Sequence, residues 1–556
     1  MKILWINEKA VLKGGAEQYI FNTVKELNSL NINSSLLYNH LEETSDQFLN
    51  EFKEAFPILS LKEQINDIKP DVIYIHQLDS YETYEQILQS NVPAIRFFHD
   101  HKLFCLREHK YTTLKQHTCT KRTGMSCYSC LGFINKDESS LGFSINTLGG
   151  EIVDEPKIAS TLTIIKNDST YYTGNIGIEI RGESSQMFDK KSYGFETWDE
   201  NYEDKDISLI GFPEEEDWIL YGPFSDKSLI RNKLIYSLSN LMGMYASKTE
   251  FCELTINNDY KGVYVFMEKL KRDKNRINIE KLTEADINEN LITGGYIIKI
   301  DKSDQEDGSY SDFNSFESKY DVFGDINGEK KMRFNYEYPK PEDIHANQKE
   351  YISNYINLFE NALLSNNFND PELGYKKYID DDTFIDFFIL NELSNNVDGY
   401  RLSTYLTKNR DKKLKIGPIW DFNLSFGNAD YCGGDKYDLW AYKFNERCIG
   451  DYWNVPFWWD KLLEDENFVS KLKNRWNDLR TNILSNENIL SLVNTDYSTL
   501  KNETDAANRN FNRWQIFGIY IWPNSFIGNS YYEEINFLKD WILQRTAWLD
   551  ISINEL

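Results

Sequence analysis

Residues able to do chemistry crowd into positions 391–428. Asn395-Asn396-Val397-Asp398-Gly399-Tyr400 is followed there by Gly417-Pro418-Ile419-Trp420-Asp421-Phe422-Asn423. Both aspartates sit among apolar and glycine residues, where an unpaired buried carboxylate is costly, so each needs a metal or a cationic partner. Segments 400–407 and 414–419 read as strands joined by the charged turn 408–413, a hairpin that brings Asp398 and Asp421 to one site. Two such carboxylates can divide phosphoryl transfer, one taking the acceptor hydroxyl's proton while the other holds Mg²⁺ on the phosphates. A structural, salt-bridged pair is the competing account.

Cationic partners stand further upstream. Ile178-Glu179-Ile180-Arg181 runs as a strand into Gly182-Glu183-Ser184-Ser185, and Lys190-Lys191-Ser192-Tyr193 follows. A strand–turn–strand of this kind can lay Arg181 and one lysine along a polyphosphate. Strand 262–268 ends in Glu268, placed to hold such a lysine straight. A solvated hairpin and an edge-strand glutamate are the plainer alternatives. From residue 142 onward there is one histidine, His345, and no Walker A sequence, so phosphate chemistry here must use lysine, carboxylates and a metal. Asp421-Phe422-Asn423 comes close to the kinase Asp-Phe-Gly triplet.

Two kinds of element position these groups. Residues 1–100 alternate apolar strand-like runs (3–6, 34–38, 71–76, 94–98) with helix-like ones (17–30, 81–90), the rhythm of βαβ units. Strand-like runs dominate 152–299. Helical patterns take over at 348–364 and 381–393, and the end, 532–549, carries Leu538, Trp541, Ile542 and Leu549 at helical spacing. The polar stretch 134–141 reads as a linker between domain 1–133 and domain 142–556. With 556 residues, 41% apolar and 15% aromatic, the chain is long enough for two or more cores.

The formal charge is −27, and about 25 of those negative units fall downstream of residue 133. Such a field disfavours nucleic acid and anionic membranes and is compatible with a basic protein substrate or a metal-nucleotide, a merely solvated acidic surface being the plainer account. No run approaches the apolar length of a membrane span, and residues 1–7 read as a first strand, not a secretory signal, so a cytoplasmic location is expected. Of seven cysteines, Cys105, Cys119, Cys127 and Cys130 fall close together, with a Cys-x-x-Cys pair of zinc-chelating spacing. A structural Zn²⁺ site competes there with free thiols or a local disulfide, and Cys252, Cys432 and Cys448 are scattered, with no whole-chain framework.

Taken in order, the downstream motifs resemble the CotH (spore coat protein H) kinase family over about 142–556. The likeness rests on Ile180-Arg181-Gly182-Glu183-Ser184-Ser185 with Lys190-Lys191-Ser192-Tyr193, on Asp217-Trp218-Ile219-Leu220 with Asp226-Lys227-Ser228-Leu229-Ile230-Arg231-Asn232, and on Gly262-Val263-Tyr264 with Glu268. Gly417-Pro418 with Trp420-Asp421-Phe422 and Leu538-Lys539-Asp540-Trp541 complete it. The resemblance implies an α+β, atypical protein-kinase-like domain that uses ATP and Mg²⁺ or Mn²⁺ to phosphorylate protein Ser/Thr. Asp398 would be catalytic, Asp421 and Asn423 would face the metal, and Lys191, Lys190, Arg181 and Glu268 would serve the nucleotide. Ser403 stands five residues after Asp398, where ordinary kinases place a metal-binding asparagine. Transfer of a nucleotidyl group, ligation, or an inactive glycan- or nucleotide-binding scaffold are the alternatives.

The first 133 residues resemble the N-terminal half of family 4 glycosyltransferases of the GT-B type. The matching residues are Gly14-Gly15-Ala16-Glu17, Pro70-Asp71-Val72-Ile73-Tyr74-Ile75-His76 and His99-Asp100-His101. This implies an α/β Rossmann-like half domain that meets a glycan or nucleotide-sugar and lacks its second half.

Overall fold

In this computed structural model the described residues are 1–12, 15–39, 44–76, 81–90, 92–96, 141–166, 169–303 and 309–556. The four clustered cysteines, and all histidines except His76 and His345, lie outside them. The chain divides into two compact units, Met1–Asn135 and Lys136–Leu556.

The first unit is built on five parallel strands, β1 (Lys2–Asn7), β2 (Asn33–Tyr38), β3 (Glu54–Pro57), β4 (Val72–Ile75) and β5 (Ala94–Arg96), in the order β3-β2-β1-β4-β5. Its central strand is apolar on both sides, as a sheet covered on both faces requires. Leu4 and Ile6 pack with Leu61 and Ile65 of helix Leu61–Ile68, whereas Ile3 and Trp5 pack with Ile20 and Val24 of helix Gly15–Ser29.

The second unit begins with a closed seven-strand barrel. Its strands are β6 (Leu141–Asn146), β7 (Ile158–Lys166), β8 (Ser169–Arg181), β9 (Ser192–Trp198), β10 (Asp217–Tyr221), β11 (Thr249–Ile256) and β12 (Asp259–Glu268), running β10-β12-β11-β6-β7-β8-β9. Alternate residues point inward (Phe143 and Ile145, Ile176 and Ile178, Tyr264 and Phe266) and fill it with side chains. The outward set on β12, Val263, Val265 and Met267, joins a larger core with Leu234, Ile235 and Leu238 of helix Arg231–Met242. That helix was not anticipated within the strand-rich 152–299.

A second, antiparallel sheet follows: β13 (Tyr296–Ile300), β14 (Ser315–Asp321), β15 (Lys331–Tyr338), β16 (Thr404–Lys408) and β17 (Lys415–Ile416), in the order β14-β15-β13-β16-β17. Helix Asp381–Ser394 is apolar nearly all round, from Phe384 to Leu393, and is accordingly buried at the centre of the helical layer. It ends on Asn395 in the left-handed conformation (φ 42°), whose side-chain amide donates to the carbonyls of Gly433 and Lys436 at 2.9 Å. Asp398 therefore emerges from the best-buried helix of the unit.

Candidate active site

The hairpin expected around 400–419 forms as β16 and β17, with Leu406 opposite Ile416. Asp398 precedes it, Asp421 follows it, and both line one cleft of about 280 Å³. Arg181, the Gly182–Ser185 turn, Lys299, Asp301, Lys302, Ser403, Trp420 and Asn423 line it too. Gly182 makes its turn at φ +102°, a backbone conformation that favours glycine, and a Cβ there would also push the Ser185 hydroxyl, 2.0 Å away, out of its place.

Asp421 also has positive φ (+59°). Two neighbours hold it there: its backbone N–H donates to the Tyr236 hydroxyl at 3.0 Å, and the Phe422 N–H donates to Asn232 Oδ1 at 2.7 Å. Both partners come from helix Arg231–Met242. Arg231, buried, ties the same turn through Nε to the Ser425 carbonyl at 3.1 Å and is neutralised by Asp226 at 2.5 Å. The run 226–232 therefore clamps the Asp421 turn.

The Asp421 carboxylate has no hydrogen-bond donor or ion pair among the described residues, and neither has the Asn423 amide. Asp421 is open to water at the cleft wall, yet protein closes round the cleft. That burial, and then the like charge of Asp398, push its pKa up to about 7, against the pull of Arg181. Asp398 is also raised, by burial, and is drawn back by Arg401, which donates to Asp398 Oδ1 at 2.9 Å. Two oxygen donors two residues apart on one turn, open to a cleft that a second carboxylate also lines, fit a divalent cation that keeps much of its water and phosphate shell.

Of the cations expected at the nucleotide, only Arg181 lies in the cleft. Its guanidinium sits 5.5 Å from the Trp420 ring centroid and makes no hydrogen bond or ion pair among the described residues. Lys190 is buried elsewhere: its Nζ donates to the carbonyls of Pro223 (3.2 Å) and Val263 (2.6 Å) and to Asn510 Oδ1 (2.9 Å), beside the Tyr264 ring. Lys191 turns back to the Gln186 carbonyl at 2.5 Å. Glu268 is buried and accepts from the Tyr245 hydroxyl (3.1 Å) and the Lys248 N–H (2.9 Å). The lysine–glutamate pair expected from the sequence does not form. Lys190 meets β12 at Val263, five residues before Glu268, and five extended residues span about 16 Å.

Lys299 and Lys302 were missed by sequence reasoning. Lys299 lines the cleft from β13 and lies 3.4 Å from Glu337 of β15, and Lys302 lies 3.3 Å from Glu183 of the glycine turn. The available signal was the alternation Ile298-Lys299-Ile300-Asp301, which puts Lys299 and Asp301 on one face of a strand end.

A larger groove of about 840 Å³, lined by Met244, Tyr245, Asp386 and Lys412, holds neither aspartate, and its Asp386 is already paired with Arg475 at 2.8 Å. Two carboxylate triads, Asp206/Glu215/Glu216 and Asp380/Asp381/Asp382, also lie off the cleft. Lys271 already occupies the first, 3.0 Å from Glu215 and 2.6 Å from Glu216. Cys432 and Cys448, scattered in the sequence, form a disulfide. No helix among the described residues is long and apolar enough to cross a membrane.

The barrel strands from β9 onward, the second sheet and the cleft fall within one recognised family. The CotH kinase protein family model matches residues 178–549, more than half of the chain, and the chain belongs to that family. At this level it is a kinase-type phosphotransferase. No family match supports the likeness of residues 1–133 to glycosyltransferases. None of the curated proteins compared matches the chain.

Proposed function

We propose that the cleft transfers the γ-phosphoryl group of ATP, with Mg²⁺, to a serine or threonine hydroxyl of a protein, on an atypical kinase-like scaffold. The observation that carries this reading is that Asp421 and Asn423, whose side chains have no partner among the described residues, share one cleft with Asp398. Asp421 and Asn423 would hold Mg²⁺, which supplies charge neutralisation on the phosphates. Arg181, Lys299 and Lys302 provide the remaining positive charge, and the Gly182–Ser185 turn offers backbone close to the phosphates. One oxygen of Asp398 is occupied by Arg401. The other is available to accept the hydroxyl proton as the oxygen–phosphorus bond forms and the bond to the ADP leaving group breaks.

Labelled ATP decides the reaction. Label entering protein from the γ position, lost in Asp421→Asn, is the expected result. Label entering from the α position identifies nucleotidyl transfer instead, and absence of any transfer with no effect of the substitution leaves a binding scaffold. Parallel assays on the chain from residue 136 onward test whether the first unit selects the acceptor, as a glycan- or nucleotide-sugar-binding module would.

A further inference from the structure

Among the described residues the Asp398 carboxylate is held by one side chain, that of Arg401, three positions on. Arg401 is 3% exposed, and its planar head spends its donors on two separate segments. Nε donates to the Val397 carbonyl at 2.8 Å and Nη2 to Asp398 Oδ1 at 2.9 Å. Nη1 reaches Asp451 Oδ1 at 3.2 Å and the Trp453 carbonyl at 3.3 Å. The Phe444 ring covers the guanidinium at 4.0 Å. Asp451 is itself fixed, its Oδ1 accepting the Trp453 N–H at 2.9 Å and its own N–H donating to the Cys448 carbonyl at 3.0 Å.

This arrangement has two physical consequences. A guanidinium offers five N–H donors in one rigid plane, so bonding Val397, Asp398, Asp451 and Trp453 together fixes the rotamer of Asp398 as well as its charge. One positive charge also cannot neutralise two carboxylates. The Asp398 oxygen that Arg401 does not touch has no hydrogen bond among the described residues, and it is the oxygen needed to take a proton.

We infer that Arg401, strapped by Asp451, is a positioning residue that aims the free oxygen of Asp398 at the acceptor hydroxyl. The inference rests on the phosphotransfer reading above. It also makes loop 449–454 part of the apparatus. That loop walls a groove of about 410 Å³ that shares Asp301 with the cleft, and Lys302 bridges the two, its Nζ 5.3 Å from the Trp453 ring centroid.

The test uses full-length Arg401→Gln, Arg401→Lys and Asp451→Asn, with ATP turnover read as phosphate released plus phosphate incorporated. Mg-ADP affinity is read by calorimetry and the folded fraction by circular dichroism. Arg401→Gln is expected to lower kcat about 100-fold, the cost of a catalytic group misplaced by about 1 Å. KM for ATP and Kd for Mg-ADP stay within about twofold. Asp451→Asn loses about 10-fold in kcat alone. Arg401→Lys recovers part of the loss, because it restores one ion pair without the plane.

A loss of kcat that only tracks the folded fraction, or a parallel rise of KM and Kd, overturns the positioning role. If Arg401→Gln does not fold, the kcat-against-KM split of Asp451→Asn decides alone. A wild-type chain that turns over no ATP refutes the phosphotransfer reading itself, an outcome distinct from any pattern among the variants.

Discussion

Asp421→Asn separates a metal-binding carboxylate from a structural one. Position 421 has φ +59°, a conformation asparagine tolerates at least as well as aspartate, so the exchange adds no backbone strain. The backbone bonds to Tyr236 and Asn232 survive, since neither uses the side chain. What changes is charge: a carboxylate whose pKa burial and Asp398 raise to about 7 becomes neutral. Water in the cleft screens that repulsion, so the gain is at most about 1 kcal/mol, or an upward Tm shift of about 1–2 °C for a unit of this size.

Ligand linkage gives the larger signal. At a concentration 100 times Kd, Mg-ADP stabilises the wild type by about 2.7 kcal/mol, and Asp421→Asn is expected to lose most of that. Differential scanning calorimetry at pH 8, with and without Mg-ADP, measures both effects. A fall of more than about 3 °C in ligand-free buffer would make Asp421 a structural partner of Arg181. An undiminished ligand shift would remove it from the metal site. Either result refutes the reasoning.

Other outcomes follow from the same geometry. Arg545 is fully buried and donates to Glu392 Oε2 at 3.1 Å, so Arg545→Met strands a buried carboxylate and should cost about 3–5 kcal/mol in chemical denaturation. Glu360, raised to about 7 by burial with Ser318 and Trp458 donating to it, binds its proton more tightly folded than unfolded. Its contribution is therefore full below its unfolded pKa and lost as pH rises toward 7. Melting from pH 4.5 to 8 should show Glu360→Gln gaining stability relative to wild type across that window, and a constant difference would contradict it. Reducing the Cys432–Cys448 bridge, which closes a 16-residue separation, should lower stability by about 3 kcal/mol, read as a Tm drop in dithiothreitol that is absent from Cys448→Ser.

The parts of the site legible in the sequence were those whose geometry is local. Gly182 after a strand, the 404–416 hairpin and the apolar helix 381–394 each follow from patterns within about fifteen residues. What escaped depended on where long-range partners fall. Lys190 and Glu268 have the right types for a nucleotide clamp, but sequence does not say at which point along β12 a lysine arrives, and it arrives at Val263. Lys299 and Lys302 reach the cleft that Arg181 lines only through the pairing of the second sheet. The spacing Asp398-x-x-Arg401 was visible, whereas its partner Asp451, fifty residues on, was not. The disulfide was hidden for the same reason.

Backbone strain explains why this region was harder to read than the barrel. Of sixteen described non-glycine residues with positive φ, seven fall between 395 and 432: Asn395, Tyr400, Ser403, Asp411, Asp421, Phe426 and Cys432. Glycine is the default in that conformation, and a larger residue there costs on the order of 1 kcal/mol or more. Such strain persists only where the surroundings over-determine it. Here they do: Tyr400 is anchored through its hydroxyl to Glu392 at 3.0 Å, Phe426 through its N–H to the Ser394 carbonyl at 2.6 Å, and the Asp421 turn by Tyr236 and Asn232. Glu392 is in turn held by Arg545 from the C-terminal helix Tyr531–Glu555. The helical layer thus fixes a strained loop so that side chains, where glycine would be easier, face the cleft. Asp421 and Ser403, at two of those positions, are the ones that line the cleft.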